Sequence, residues 1–117
     1  MSTPVGIIVD SKSDLAFAEA AVKVLEDLGI KSELRILSAH RTPGPLESYI
    51  AEAEAAGTKV FITMAGMAAA LPGVVAAKTT LPVIGVPLPA SELAGQDALM
   101  SIVQMPPGIP VGTMAIG

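Results

Sequence analysis

Cysteine and tryptophan are missing from all 117 residues, and histidine occurs once. Without thiols there is no disulfide framework and no thiolate-bound zinc, and a single imidazole is a poor basis for any other transition-metal site. No metal and no cofactor are expected. Aromatic residues make up 3% of the chain, namely Phe17, Tyr49 and Phe61, too few for the stacking platforms that grip single-stranded nucleic acid. Charged residues make up 15% and sum to a net charge of -4, which argues against nucleic acid as a partner. Any phosphate must then be held by local donors such as Lys12 and Arg41. Every long apolar run is broken by proline, glycine or charge before membrane-spanning length, and Met1-Ser2-Thr3-Pro4-Val5 has no basic stretch leading into an apolar one. A cytoplasmic protein with no membrane partner is expected.

What remains is strongly apolar. Hydrophobic residues are 51% of the chain, mostly alanine, valine, isoleucine and leucine, enough to bury the core of one domain over residues 1–117. Val5–Val9, Glu33–Leu37, Val60–Thr63, Val83–Val86 and Val111–Ile116 read as strands, the first a continuous apolar run suited to burial on both faces. Between them Leu15, Ala18, Val22, Leu25 and Leu28 recur at helical spacing, with Ser13 or Asp14 as a cap and Gly29 as the stop. Thr42–Ala56 forms a second helix ended by Gly57, and Ala68–Lys78 and Ala94–Gln104 complete the set. This alternation predicts a three-layer αβα doubly wound parallel sheet of about five strands, flavodoxin- or Rossmann-like. With strand order 2-1-3-4-5, right-handed crossovers place three helices on one face and only the first on the other. The C-terminal helix that would join the first is missing, so an apolar face is left there, which a neighbouring subunit is expected to cover unless the natural chain is longer.

In such a sheet the ligand sits at the carboxyl ends of the strands. Three segments fall there. Ser11-Lys12-Ser13-Asp14 leads into a helix N-terminus, where free N–H groups, the helix dipole and two hydroxyls suit a phosphate, although simple N-capping explains the same residues. Asp10 opposes an anion, because a carboxylate about 4 Å from a phosphate costs about 4 kcal/mol at an effective dielectric near 20. Its side chain has to point away. Ser38-Ala39-His40-Arg41-Thr42-Pro43 sets a proton-transfer group beside an anion-gripping guanidinium, against the alternative of a loop histidine and a surface arginine. Met64–Gly73 offers no titratable group: it is either a tightly packed small-residue helix start or a pocket wall whose amides touch a flat ligand, with Gly66 allowing close approach.

Taken together, Ser11–Asp14, Ser38–Pro43, Leu71-Pro72-Gly73 with Ala76–Thr79, Leu81–Pro87 and Ser101–Pro106 resemble the N5-carboxyaminoimidazole ribonucleotide mutase family of purine biosynthesis, also called the catalytic subunit of phosphoribosylaminoimidazole carboxylase. The resemblance spans nearly the whole chain. It implies a homo-octamer that moves a carboxylate from the exocyclic nitrogen to C4 of an aminoimidazole ribonucleotide, without metal, ATP or biotin. By the same resemblance Ser11, Ser38 and Arg41 hold the 5'-phosphate with Ser13 beside them, Asp14 holds the ribose hydroxyls, and His40 moves protons. Ala65, Gly66, Met67, Ala70 and Leu71 then line the ring's side of a closed, dry pocket. Leu71-Pro72-Gly73 looks like the mutase branch rather than the animal-type branch that takes free carbon dioxide. Members usually carry glycine at Asp10, Met64 and Met67 and a second pocket histidine at Ala70, which keeps open a second reading: a non-catalytic nucleotide-binding or assembly relative with a filled pocket. A flavin protein would want more aromatic rings, and a phospho-receiver domain an aspartate where Thr63-Met64-Ala65 stands.

Overall fold

Residues 3–117 are described by the computed structural model; Met1 and Ser2, the start of the segment read for a targeting signal, lie outside the described residues. Five strands run parallel in the order β2-β1-β3-β4-β5. The interior strand β1 (Val5–Val9), between β2 and β3, is buried at every position, because helices cover both of its faces. On one side α1 (Leu15–Asp27) lays Leu15, Ala18, Ala21, Val22 and Leu25 against Val5, Ile7, Val9, Met64 and Leu88. On the other, α2 (Pro43–Ala55), α3 (Leu71–Ala76) and α4 (Gln96–Val103) bring Leu46, Ile50, Leu71, Val75 and Ile102 together with Ile8, Phe61 and Val83. Each of these large side chains contributes about 1.5–3 kcal/mol by leaving water. The distribution is the expected one, with α1 alone on its face, and Phe17, Met114 and Ile116 remain exposed.

Several boundaries differ from the sequence reading, each for a local reason. The edge strand β2 covers Ser32–Ile36 rather than Glu33–Leu37, since its register runs from Val5↔Ser32 to Val9↔Ile36, although the Leu37 amide still donates to the Val9 carbonyl at 3.0 Å. Strand β3 (Val60–Gly66) runs three residues past Thr63, because β4 (Val83–Leu88) also runs on and pairs Ala65 with Pro87 and Gly66 with Leu88. Helix α3 begins at Leu71 and not at Ala68: Met67 is left-handed at φ 56°, and the Ala69 and Ala70 amides turn back onto the Met67 and Ala68 carbonyls. Helix α4 begins at Gln96 rather than Ala94, since Ala94 and Gly95 are both left-handed at φ 54° and 92°.

The greatest departure is β5, which spans only Gly112–Thr113 instead of Val111–Ile116. Met114 still donates to the Gly85 carbonyl at 2.9 Å, and Gly117 to the Pro87 carbonyl at 2.8 Å. Two residues on β4 thus match three on the last segment. The Pro87 carbonyl faces β5, and so does its nitrogen, which has no proton to donate; the regular ladder fails at that rung.

Candidate active site

At the carboxyl end of β1, Ser11 caps a single 3-10 turn (Lys12–Asp14): its hydroxyl accepts the Ser13 amide at 3.3 Å and lies 2.9 Å from the Ser13 hydroxyl. Neither Ser13 nor Asp14 serves as the expected side-chain cap of α1. Asp14 occupies the cap position with only 5% exposure, yet makes no side-chain capping bond. Burial raises its pKa above the usual carboxylate value, the nearby Asp10 charge raises it further, and a backbone hydrogen bond from Ser11 and the Arg41 guanidinium pull it back. The buried carboxylate is thus held by the first turn and not spent on capping its own helix.

The turn after β2 is organised around Ser38, which is 4% exposed. Its hydroxyl oxygen accepts the amides of His40 at 3.2 Å and Arg41 at 3.0 Å, while its own amide donates to Thr42 Oγ1 at 2.8 Å. The Thr42 hydroxyl donates to the Ser38 carbonyl at 3.3 Å, and the Thr42 amide reaches the same carbonyl at 3.1 Å. Because the Ser38 oxygen is filled as an acceptor twice, its own proton is left pointing elsewhere and can be donated to an anion. The peptide amides of the turn are engaged, so what it has left to offer an anion is side chains, Arg41 and the Ser38 hydroxyl, and no backbone nest. Thr42 was not singled out from the sequence. Its signal is a hydroxyl four residues after Ser38 and immediately before Pro43.

The two turns meet. Asp10 Oδ1 accepts the Ala39 amide at 3.2 Å, so its carboxylate is directed at the second turn, and Arg41 lies close enough to Asp14 to influence its titration. Ser11, Ser13, Asp14, Ser38, His40 and Arg41 therefore share one edge of the sheet, with Ser13, His40 and Arg41 exposed. The loop after β3 contributes less than expected. Ala65 and Gly66 belong to the strand itself, and Leu71 is fully buried in the core, so its side chain cannot contact a ligand. A Cβ on Gly66 would come within 2.5 Å of the Ala90 Cβ, so the missing side chain makes room for the segment after β4, which is a packing reason. Met67 is 59% exposed and Ala70 half-buried. With His40, Arg41 and Met67 all open to solvent, this end of the sheet is uncovered in the single chain, where the resemblance implies a closed pocket.

A pocket of about 920 Å³ lies at the opposite end of the sheet, by the amino ends of β4 and β5. Its lining is mostly apolar, Lys78 is paired with Glu47 at 3.5 Å, and the Thr79 hydroxyl is bonded to Glu54. It has no group poised for proton transfer. Tyr49 is removed from that role too, since burial and then Glu33 push its phenol up to about 12. Among the described residues no helix is long and apolar enough to cross a membrane.

Comparison with known proteins identifies the fold and the family. The chain is 54% identical over 117 residues to the N5-carboxyaminoimidazole ribonucleotide mutase of Pseudomonas aeruginosa, covering 100% of this chain and 72% of that protein. It is 56% identical to the mutase of Brucella melitensis over the same shares. The crystal structure of Treponema denticola PurE superposes with a TM-score of 0.87 at 36% identity, over 94% of this chain and 70% of that one. The family described as AIR carboxylase matches residues 4–117, and the chain belongs to it, as an enzyme of the N5-carboxyaminoimidazole ribonucleotide mutase type.

Proposed function

We propose that the protein moves the carboxylate of N5-carboxyaminoimidazole ribonucleotide from N5 to C4 of the ring, a step of purine biosynthesis. The observation that carries this reading is the meeting of the two turns, which sets an imidazole, a guanidinium and a buried carboxylate at one edge of the sheet. Arg41, with the Ser11, Ser13 and Ser38 hydroxyls, grips the 5'-phosphate as a fork of donors. Asp14 accepts from the ribose hydroxyls. His40 delivers a proton to N5 as the N5–carboxylate bond breaks and carbon dioxide leaves; C4 then attacks the carbon dioxide and gives up its hydrogen as a proton to the same imidazole. One proton enters and one departs, so a single histidine closes the cycle with no other acid or base. Gly66, Met67 and Ala70 form the wall beside the ring, and Ala65 and Leu71, both buried in the core, support that wall from behind.

Freed carbon dioxide has to be retained, and the open groove of one chain does not retain it. A homo-oligomer, an octamer by family resemblance, supplies the cover; the open apolar residues Phe17, Met114 and Ile116 support association. A cytoplasmic location fits a small-molecule metabolic enzyme. The Met67 side chain stands mostly in solvent, which favours a usable groove over a filled one. The test is to mix the protein with the 4-carboxylated aminoimidazole ribonucleotide and follow its ultraviolet absorbance. A time-dependent change is expected; no change, together with no thermal shift by that ligand, refutes the reading. Sedimentation as a monodisperse monomer refutes the oligomer.

A further inference from the structure

Asp10 stands where three strand ends come together. Its backbone amide donates to the Met64 carbonyl of β3 at 3.2 Å, and Leu37 at the end of β2 donates to the Val9 carbonyl just before it. Its carboxylate crosses to the Ala39 amide at 3.2 Å. That bond joins the run of side-chain oxygens that occupy successive amides of the second turn, Asp10 on Ala39 and Ser38 on His40 and Arg41. Asp10 is the member of this set that is anchored outside the turn. Without it the turn keeps its internal bonds but loses this tie to β1.

We propose that Asp10 is a positioning residue: by fastening the Ala39 amide to the end of β1 it fixes where the His40 imidazole and Arg41 guanidinium stand above the first turn, while its charge weakens the hold on phosphate. The kinetic half of this statement rests on the mutase reading; the structural half does not. The carboxylate does two separable things, accepting a hydrogen bond and carrying charge. Asparagine keeps the acceptor and drops the charge, whereas alanine drops both.

The experiment uses D10A and D10N in the whole chain, with D10G carrying the same test should D10A fail to fold. In the ligand-free protein, exchange of the Ala39 amide and the single histidine Cε1 proton resonance report on the turn. D10A is expected to speed that exchange about tenfold or more, the value of a hydrogen bond to a charged acceptor, and to shift or broaden the histidine line, while D10N, still an acceptor but a neutral one, lies between D10A and wild type in exchange and keeps the histidine line near wild type. In turnover of the ribonucleotide, D10A loses kcat about tenfold, D10N restores it, and D10N lowers KM about threefold as repulsion of the phosphate is removed. Unchanged exchange and an unchanged histidine line in D10A overturn the fastening. A D10N protein as loose or as slow as D10A overturns it as well, since the bond would then not be what matters. If neither wild type nor variants turn over the ribonucleotide, the mutase reading fails, and the amide and histidine readouts still decide the role of Asp10.

Discussion

The turn after β2 and the loop after β3 lie at the same end of the sheet and are built on opposite plans. From Ser38 to Thr42 every backbone N–H is committed, four of the five to side-chain oxygens of Asp10, Ser38 and Thr42 and the last to a carbonyl. From Met67 to Ala70 the side chains are methionine and alanine, the bonds of Ala69 and Ala70 are short backbone returns, and Met67 is held left-handed. The first plan fixes a shape before a ligand arrives, as proton transfer and phosphate recognition require. The second holds a shape by strain and can only shape a wall. The proposed proton carrier and guanidinium, His40 and Arg41, both stand on the rigid plan.

The comparison breaks most severely at His40, whose ring is the proposed proton carrier while only its amide holds the turn. H40A and H40N should lower turnover by about 10²–10⁴, the usual contribution of a positioned acid/base, and leave the thermal shift by the ribonucleotide in place. Equal loss of binding and turnover would place the imidazole in recognition instead. Next in size is S38A, which strands the His40 and Arg41 amides beneath a nearly buried position and should cost about 1–3 kcal/mol of stability, seen as a lower Tm. An unchanged Tm would show that water replaces the hydroxyl at no cost and that the turn is not organised in advance.

Much of this was legible in the sequence, and the remainder was hidden for identifiable reasons. Strand order, the solitary α1 face and the placement of the three segments at the carboxyl ends of β1, β2 and β3 followed from the alternation of apolar runs, because parallel crossovers have one hand. The length of β5 did not, since Val111–Ile116 is as apolar as a strand needs to be and only the pairing with Pro87 shortens it. Ser11 to Asp14 was ambiguous between cap and site; the cap went to Ser11, which no propensity scale distinguishes from Ser13. The Asp10 bond joins residues 29 apart and leaves no local trace. Leu71 could be read as a pocket residue because a helix start has both a ligand side and a core side, and its side chain took the core.

A smaller effect is expected at the strained loop. M67G removes the penalty of a left-handed β-carbon but loosens the unfolded chain, so the net gain should be at most about 1 kcal/mol, measured by denaturant midpoint. Loss of stability would mean that the methionine side chain makes contacts that hold the loop. If M67G combined with A70H speeds turnover, the wall is limiting; if it does not, the rigid side alone sets the rate.

The smallest effect concerns Asp14 and tests whether the rigid side carries an electrostatic cost of its own. The folded state raises this carboxyl above its ordinary 3.8, through burial first and Asp10 second, against the Ser11 hydrogen bond and Arg41. A group that binds its proton more tightly when folded stabilises the fold below the unfolded pKa, and that contribution is lost as pH rises through the raised folded value. At neutral pH the ionised carboxylate therefore weighs against folding. D14N, uncharged throughout, should melt above wild type at pH 7, and the gap should close below about pH 4, where Asp14 is protonated in both states. In a D10N background the neutral-pH gap should shrink, because the second cause is gone. A gap that persists unchanged at low pH would trace the effect to packing and leave the site without electrostatic tension, whereas a gap that follows the titration shows that the buried carboxylate is kept at a cost to stability, as a group reserved for a ligand would be.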